Sequence, residues 1–269
     1  MTWHEDKGEM DAVRLVTQRL DFLERLAISP LSKRELVADL PYSRSTVDRA
    51  VRDLEIADLI EQTDDGYVTT LSGRVSAEQY RQFLRTTRDT VAARDVIGRI
   101  PVDAPIDGRA FRGSTVYRAD DVTPYELIDH LVESLDGVDR LRALSDGVPH
   151  PQYLDAAVER VERGQLTVDG IVSESLWQAF VDHHSDDLET MLDVGIDIRV
   201  GDVPPFTLHL LEHESETTIQ LLVHGDTGGI RGIVANDTAD AVEWATDLFE
   251  RVSHDARWPD DVGGEREQT

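Results

Sequence analysis

The 269-residue sequence predicts an α+β protein, helical at its N-terminal end, with a long connecting helix and a C-terminal α/β domain built on a mixed sheet. Amphipathic helical stripes run up to a short β-hairpin signal at Asp65-Gly66. A helical pattern then runs from Arg74 to Ile100, and beyond Pro101 strand and helix patterns alternate before four closely spaced strands follow one another.

In the first part, Val13, Val16, Leu20, Leu23 and Ala27 make one stripe over Asp11 to Ile28, and Ser29-Pro30 ends it because the residue before proline avoids helical angles. The next helix, Ser32 to Leu40, opens with Ser32 and Glu35 in capping-box spacing. After Pro41-Tyr42, Ser43 serves as N-cap of a helix whose Val47, Ala50, Val51 and Leu54 recur at i, i+3, i+4 and i+7. Its opposite side presents Ser45, Arg49 and Arg52, with Arg44 and Thr46 beside them in the first turn. Two helices joined by so short a turn form a helix-turn-helix, and the hairpin after them completes a winged-helix order.

Guanidiniums and hydroxyls on one exposed face suit phosphates and base edges, so Ser43, Arg44, Ser45, Thr46, Arg49 and Arg52 are the candidate contacts to double-stranded DNA. The competing reading is a small helical subdomain with a solvated arginine surface, or one that docks a protein partner. The wing tip, Asp64-Asp65-Gly66, carries two acids and no base, so recognition falls on the helix.

Along the connector, Val75, Gln79, Phe83 and Thr86 form one line with Tyr80, Leu84, Thr87 and Val91 beside it, a stripe too lightly apolar for a buried helix. It suits a partner helix in a homodimer, which would hold two recognition helices about 34 Å apart on a palindromic site. The alternative is a helix lying on its own C-terminal domain. Pro101 and Pro105 mark the next boundary. Strands are predicted at 114–117, 140–144, 166–172, 196–200, 206–213, 218–224 and 230–234, and helices at 124–135, 151–163, 175–193 and 239–252. The expected divisions are thus a winged helix at 1–73, the connector at 74–100, the α/β domain at 101–256 and a disordered tail at 257–269, with residues 1–10 frayed.

The net charge is −27, and of the 27 basic residues only Lys7 and Lys33 are lysine. Such an acidic, lysine-poor composition is similar to that of haloarchaeal proteins working in molar salt, where screening is short-ranged and DNA binding relies less on phosphate neutralisation. Residues 1–100 carry 15 basic against 18 acidic side chains, so 24 of the 27 net negative charges fall on the remainder. With no cysteine, no signal-peptide pattern and no apolar run of membrane-spanning length, the expectation is a soluble, cytoplasmic protein without disulfides.

Taken in order, R-S-T-V-D-R-A-V-R-D-L at Arg44 to Leu54, R-I-P-V-D-A-P at Arg99 to Pro105 and S-T-V-Y-R-A-D at Ser114 to Asp120 resemble an archaeal family of ArsR-like winged-helix regulators. L-R-A-L-S-D-G-V-P at Leu141 to Pro149 and V-D-G-I-V-S-E at Val168 to Glu174 continue the resemblance, which covers nearly the full chain. The family's C-terminal sensor domain is named for a methanogenesis regulator. The resemblance implies transcription regulation, with a sensor domain similar to the phospholipase-D-like fold of sugar-responsive archaeal regulators. This chain departs from it in the acidic wing tip and the acidic surface.

The competing function is a phospholipase-D-related phosphodiesterase or nuclease. That chemistry needs a histidine nucleophile and a lysine two residues apart, and no lysine follows Lys33. No catalytic residue, metal or cofactor is therefore expected. His183 and His184 are adjacent on a helix, and His209 and His213 would lie about 13 Å apart along a strand, so hydrogen-bonded or solvated histidines are expected rather than ligands. A small-molecule site is expected where open α/β sheets place theirs, at the carboxyl ends of the parallel strands: Arg118, Ser145, Asp146, Ser173 and Glu174. An arginine with hydroxyls and acids suits a sugar or phosphorylated metabolite. The alternative is that the serines cap local structure and Arg118 pairs with a neighbouring aspartate.

Overall fold

The computed structural model describes residues 7–119, 126–225 and 229–259. The chain forms two compact units, Met1–Arg85 and Thr86–Thr269. The expectations for residues 1–6, for the helix start at Pro124 and for the tail past Pro259 lie outside the described residues.

The first unit holds α1 (Lys7–Gln18), α2 (Leu20–Ile28), α3 (Lys33–Asp39), α4 (Arg44–Ile56), β1 (Ile60–Thr63), β2 (Gly66–Thr69) and the first half of α5 (Leu71–Ile97). Phe22, Leu23, Leu36, Val47, Ala50, Val51 and Leu54 have no solvent exposure, so the periodic stripes of α2, α3 and α4 meet in one core. Where one helix was expected over Asp11 to Ile28 there are two, because Arg19 leaves helical angles at φ −129°, ψ 24°. No proline or glycine announces that break, and the expected stripe loses its phase across it: Val16 and Leu23 are buried, but Val13 and Ala27 are exposed and Phe22 and Leu26 are buried instead. The helix also begins earlier, at Lys7.

The turn into α3 is closed by both halves of a capping box. Glu35 Oε2 accepts from the Ser32 amide at 2.8 Å, and Ser32 Oγ accepts from the Glu35 amide at 3.4 Å. These bonds satisfy two otherwise orphan donors. Ser32→Ala is expected to destabilise this unit by about 1 kcal/mol, read as a lower denaturation midpoint; an unshifted midpoint would remove the cap from the account.

β1 and β2 pair antiparallel with Thr63 opposite Gly66, so the tip consists of Asp64 and Asp65. Gly66 is required both by its φ of +131° and by a crossing chain. A Cβ there would sit 2.6 Å from the Leu31 carbonyl carbon, and Leu31 exchanges backbone hydrogen bonds with Tyr67. Close approach also explains why α5 starts at Leu71, ahead of the expected Arg74. Thr70 Oγ1 accepts from the Gly73 amide at 3.1 Å, and a Cβ on Gly73 would lie 2.0 Å from the Leu59 carbonyl oxygen. Ser72-Gly73, expected to precede the helix, lie in its first turn, pressed onto a backbone.

The second unit contains the rest of α5, a 3-10 turn at Gly108–Ala110, and then β3 (Thr115–Arg118), α6 (Glu126–Glu133), β4 (Arg140–Ser145), α7 (Pro151–Glu162), β5 (Thr167–Val172), α8 (Glu174–His183) and α9 (Ser185–Asp193). It ends with β6 (Asp197–Val200), β7 (Thr207–Glu212), β8 (Thr217–His224), β9 (Ile230–Asn236) and α10 (Ala239–Asp255). The helix expected over 175–193 is broken at His184, at φ −135°, ψ 37°.

Seven strands form one mixed sheet in the order β3-β9-β8-β7-β4-β5-β6. Only β4, β5 and β6 are parallel; β3 pairs antiparallel with β9. The expectation that 114–117 opens the parallel set fails for that reason: three antiparallel strands lie between it and β4. Along β7, Leu208 and Leu210 join the core shared with α10, while Leu211 joins the core beneath α6 and α7. Both faces are covered, so a polar side chain in this run is buried.

Candidate nucleic-acid interface and C-terminal cavity

On α4 the side away from the core carries Arg44, Ser45, Arg49 and Arg52, all exposed, with Thr46 half-buried. Ser43 is also exposed but is used by the helix. Its Oγ accepts from the Thr46 amide at 3.2 Å and lies 3.0 Å from Ser45 Oγ and 2.9 Å from Thr46 Oγ1. Arg52 lies 3.9 Å from Asp53, while no hydrogen bond or ion pair is made by Arg44 or Arg49 among the described residues. The predicted set is therefore brought together on about two and a half turns of helix. Two of its arginines are unengaged, and its three hydroxyls are clustered at the positive N-terminal end of the helix dipole.

The C-terminal candidates are not brought together in this way. Ser145 ends β4 and lines a cavity of about 430 Å³. Ser173, hydrogen-bonded through its amide to the Ser145 carbonyl, caps α8 by accepting from the Leu176 amide at 3.0 Å. Glu174 and Asp146 are exposed and do not line that cavity. Arg118 is exposed on the edge strand, where its guanidinium donates to the Ala92 and Val116 carbonyls. β3 and β4 point the same way, but with β9, β8 and β7 between them their ends are about 19 Å apart at ~4.8 Å per strand.

The cavity lies at the carboxyl end of β4, as open α/β sheets favour, but extends over the antiparallel strands rather than over β5. Its apolar walls include Ile128, Leu131, Leu222 and Ile230. Its polar side is made by Ser145, Tyr153, Thr207, His209, His224 and His150, of which the sequence nominated only the first. Ser145 Oγ donates to the Gly147 carbonyl at 2.9 Å and lies 3.1 Å from Thr207 Oγ1, which lies 3.0 Å from His224 Nε2. His209 stacks on Tyr153 with ring centroids 5.4 Å apart, its Nδ1 3.4 Å from the phenol oxygen. Burial pushes the His209 imidazole down to about 4; the Gln220 amide opposite pulls against this and His224 adds to it. Burial also pushes the Tyr153 phenol up. Both are therefore neutral at pH 7.

The other histidines are placed separately. His213 Nδ1 donates to the Gly137 carbonyl at 3.0 Å, His183 is exposed, and His184 lies 3.4 Å from Asp187. Among the described residues no three His, Asp or Glu side chains converge as metal ligands. One signal could have found His209: it sits at the middle of T-L-H-L-L, where every neighbour is apolar or buried.

A helix-turn-helix with a two-stranded wing and an open arginine face, followed by an α/β domain with its own cavity, defines a winged-helix transcriptional regulator. Residues 124–255 match the family described as methanogenesis regulatory protein FilR1, middle domain, and residues 8–92 match the HVO_A0261 N-terminal domain. The chain is thus a transcriptional regulator of two parts, each similar to its own domain model.

Among solved structures, TrmBL2, titled an archaeal chromatin protein with a novel mode of DNA binding, is 12% identical at a TM-score of 0.40, covering 94% of this chain and 99% of its own. Nuc from Salmonella typhimurium, a phospholipase D family member, is 13% identical at 0.42, covering 54% of this chain and 95% of its own. A polyphosphate kinase from Porphyromonas gingivalis is 17% identical at 0.41, with coverages of 53% and 26%. Comparison with curated proteins finds no match. Among the described residues no helix is long and apolar enough to cross a membrane.

Proposed function

We propose that the regulator binds double-stranded DNA through the outward face of α4, as a homodimer, and that a small molecule held in the C-terminal domain biases this binding. The observation that carries the reading is the pairing of a fully buried Val47, Ala50, Val51 and Leu54 with exposed, unengaged Arg44 and Arg49 on the other side of the same helix. The buried stripe fixes which way the arginines point. Ser45 and Thr46 supply hydroxyls for phosphate, and Arg52 a third guanidinium. The acidic wing tip leaves base reading to the helix.

The dimer assignment rests on α5. Ala77 packs in the first core and Ala93 and Val96 in the second, leaving Phe83, Leu84 and Val91 exposed between them. Phe83 is 62% exposed and stacked on Tyr80, an apolar stripe that a second α5 would cover. A binding role for the C-terminal domain is favoured over phosphodiesterase chemistry because the sequence supplies no lysine after Lys33 to neutralise a phosphoryl oxygen. The acidic, arginine-rich composition fits a cytoplasm of high salt.

The test is a titration of the purified protein with duplex DNA from its own upstream region at fixed, stated salt. Arg49→Ala is expected to lower affinity by about 1–3 kcal/mol, roughly five- to 150-fold, and to relax preference at one base position. Arg52→Ala should weaken all sequences about equally and lower the salt slope by ~1. Equal affinity of wild type and Arg49→Ala for that DNA would overturn the assignment.

A further inference from the structure

We infer that the 430 Å³ cavity beneath α6 and α7 binds an uncharged, mainly apolar molecule carrying a hydroxyl group, rather than a phosphorylated or carboxylate metabolite. The inference deepens the effector reading above and rests on it only for its regulatory meaning.

The direction of the hydrogen bonds carries the argument. Ser145 Oγ–H is committed to the Gly147 carbonyl and Ser145 Oγ accepts from the Gly147 amide at 3.4 Å, so toward Thr207 it can only accept; Thr207 Oγ1–H is taken up by Ser145 Oγ or by His224 Nε2, according to the His224 tautomer. Each proton in this relay is used within the protein. What the relay still offers the cavity is the remaining lone pair of Thr207 Oγ1, which receives a ligand hydroxyl and repels an anion. The neutral His209 and Tyr153 pair adds no charge, and among the described residues no lysine or arginine lines the cavity.

An anion buried here would meet no lysine or arginine among the described residues and could look only to histidine nitrogens such as the unpartnered His150 Nδ1, whereas the apolar walls repay burial of hydrocarbon. The volume lies within the ~300–1,000 Å³ typical of small-molecule sites. A second, apolar cavity of about 100 Å³ shares Ser145, Tyr153 and His209 with the first, which extends the apolar room on the far side of that pair.

The experiment uses the full chain and four probes: naphthol, naphthalene, naphthoate and inorganic phosphate, followed by calorimetry and by ligand fluorescence where the probe allows. Naphthol is expected to bind at least about tenfold more tightly than naphthalene or naphthoate, the value of one hydrogen bond or more. Phosphate is expected to show no binding. Thr207→Val should remove the naphthol advantage while leaving naphthalene unchanged, and Ile230→Trp, placed to fill the cavity, should abolish binding of both. Circular dichroism of each variant checks that the fold survives, and Thr207→Val, isosteric and modest, keeps the test open if Ile230→Trp unfolds. Naphthoate or phosphate binding as tightly as naphthol, no naphthol binding at all, or naphthol binding unmoved in both folded variants would overturn the inference. Naphthol binding without any change in operator affinity would leave the cavity assignment standing and remove the effector reading; loss of DNA binding in Arg49→Ala is independent of both.

Discussion

Lowering the pH from 7 to 4 is expected to cost the C-terminal unit on the order of 3 kcal/mol through His209 alone. The imidazole is buried to 5% exposure and held at about 4, below its ordinary 6.5. In the unfolded chain it takes up a proton as pH falls through 6.5; in the folded protein it stays neutral until about 4. Across that window the unfolded state binds more protons, so stability falls with pH and the loss is complete below the folded value. The groups facing the imidazole, Tyr153, Gln220 and His224, supply no negative charge that would favour its protonation.

Denaturant unfolding at pH 7 and pH 4.5, followed by tryptophan fluorescence, measures the effect. His209→Gln should flatten the profile relative to wild type by about 2–3 kcal/mol over that interval, because carboxylate titrations are common to both proteins and cancel in the difference. Parallel profiles would show that His209 is not held neutral by burial.

Leu54→Ala should destabilise the N-terminal unit by about 2–5 kcal/mol. Leu54 has no exposure, and it closes the stripe by which α4 is seated against Phe22, Leu23 and Leu36. Truncation leaves a void that the neighbours fill only in part, since Val47, Ala50 and Val51 on the same face are themselves fully packed. DNA binding should be lost on mild heating at a temperature where wild type and Arg49→Ala remain folded. Arg49→Ala, a surface change, should shift stability by less than ~0.5 kcal/mol. A Leu54→Ala protein as stable as wild type would mean that α4 is not anchored by this stripe, and the outward orientation of its arginines would lose its physical cause.

The helix-turn-helix was legible because each of its signals is local. The capping box of Ser32 and Glu35, the N-cap at Ser43 and the 3.6-residue stripe of α4 each lie within a few residues, and each holds in the structure. The Arg19 and His184 breaks were not legible, since neither residue type forbids a helix. The connector helix was expected from Arg74 rather than Leu71 because Gly73 answers a non-local demand, the Leu59 carbonyl pressed against it. In the C-terminal domain, strand and helix alternation gave the elements but not their neighbours. Arg118 and Ser145 both follow strands, and only the insertion of β7, β8 and β9 between β3 and β4 separates them.

By itself the sequence determined which stretches are helical or extended, though not the breaks within them, which face of α4 is apolar and that no lysine is available beyond Lys33, because propensity, periodicity and composition are properties of short windows or of counts. Strand order, the commitment of Arg118 to a helix carbonyl and the meeting of Ser145, Tyr153, Thr207, His209 and His224 around one cavity were decided only by the tertiary structure. Those contacts join segments tens of residues apart, and their geometry follows from how a seven-stranded sheet is ordered and covered, which no local pattern encodes.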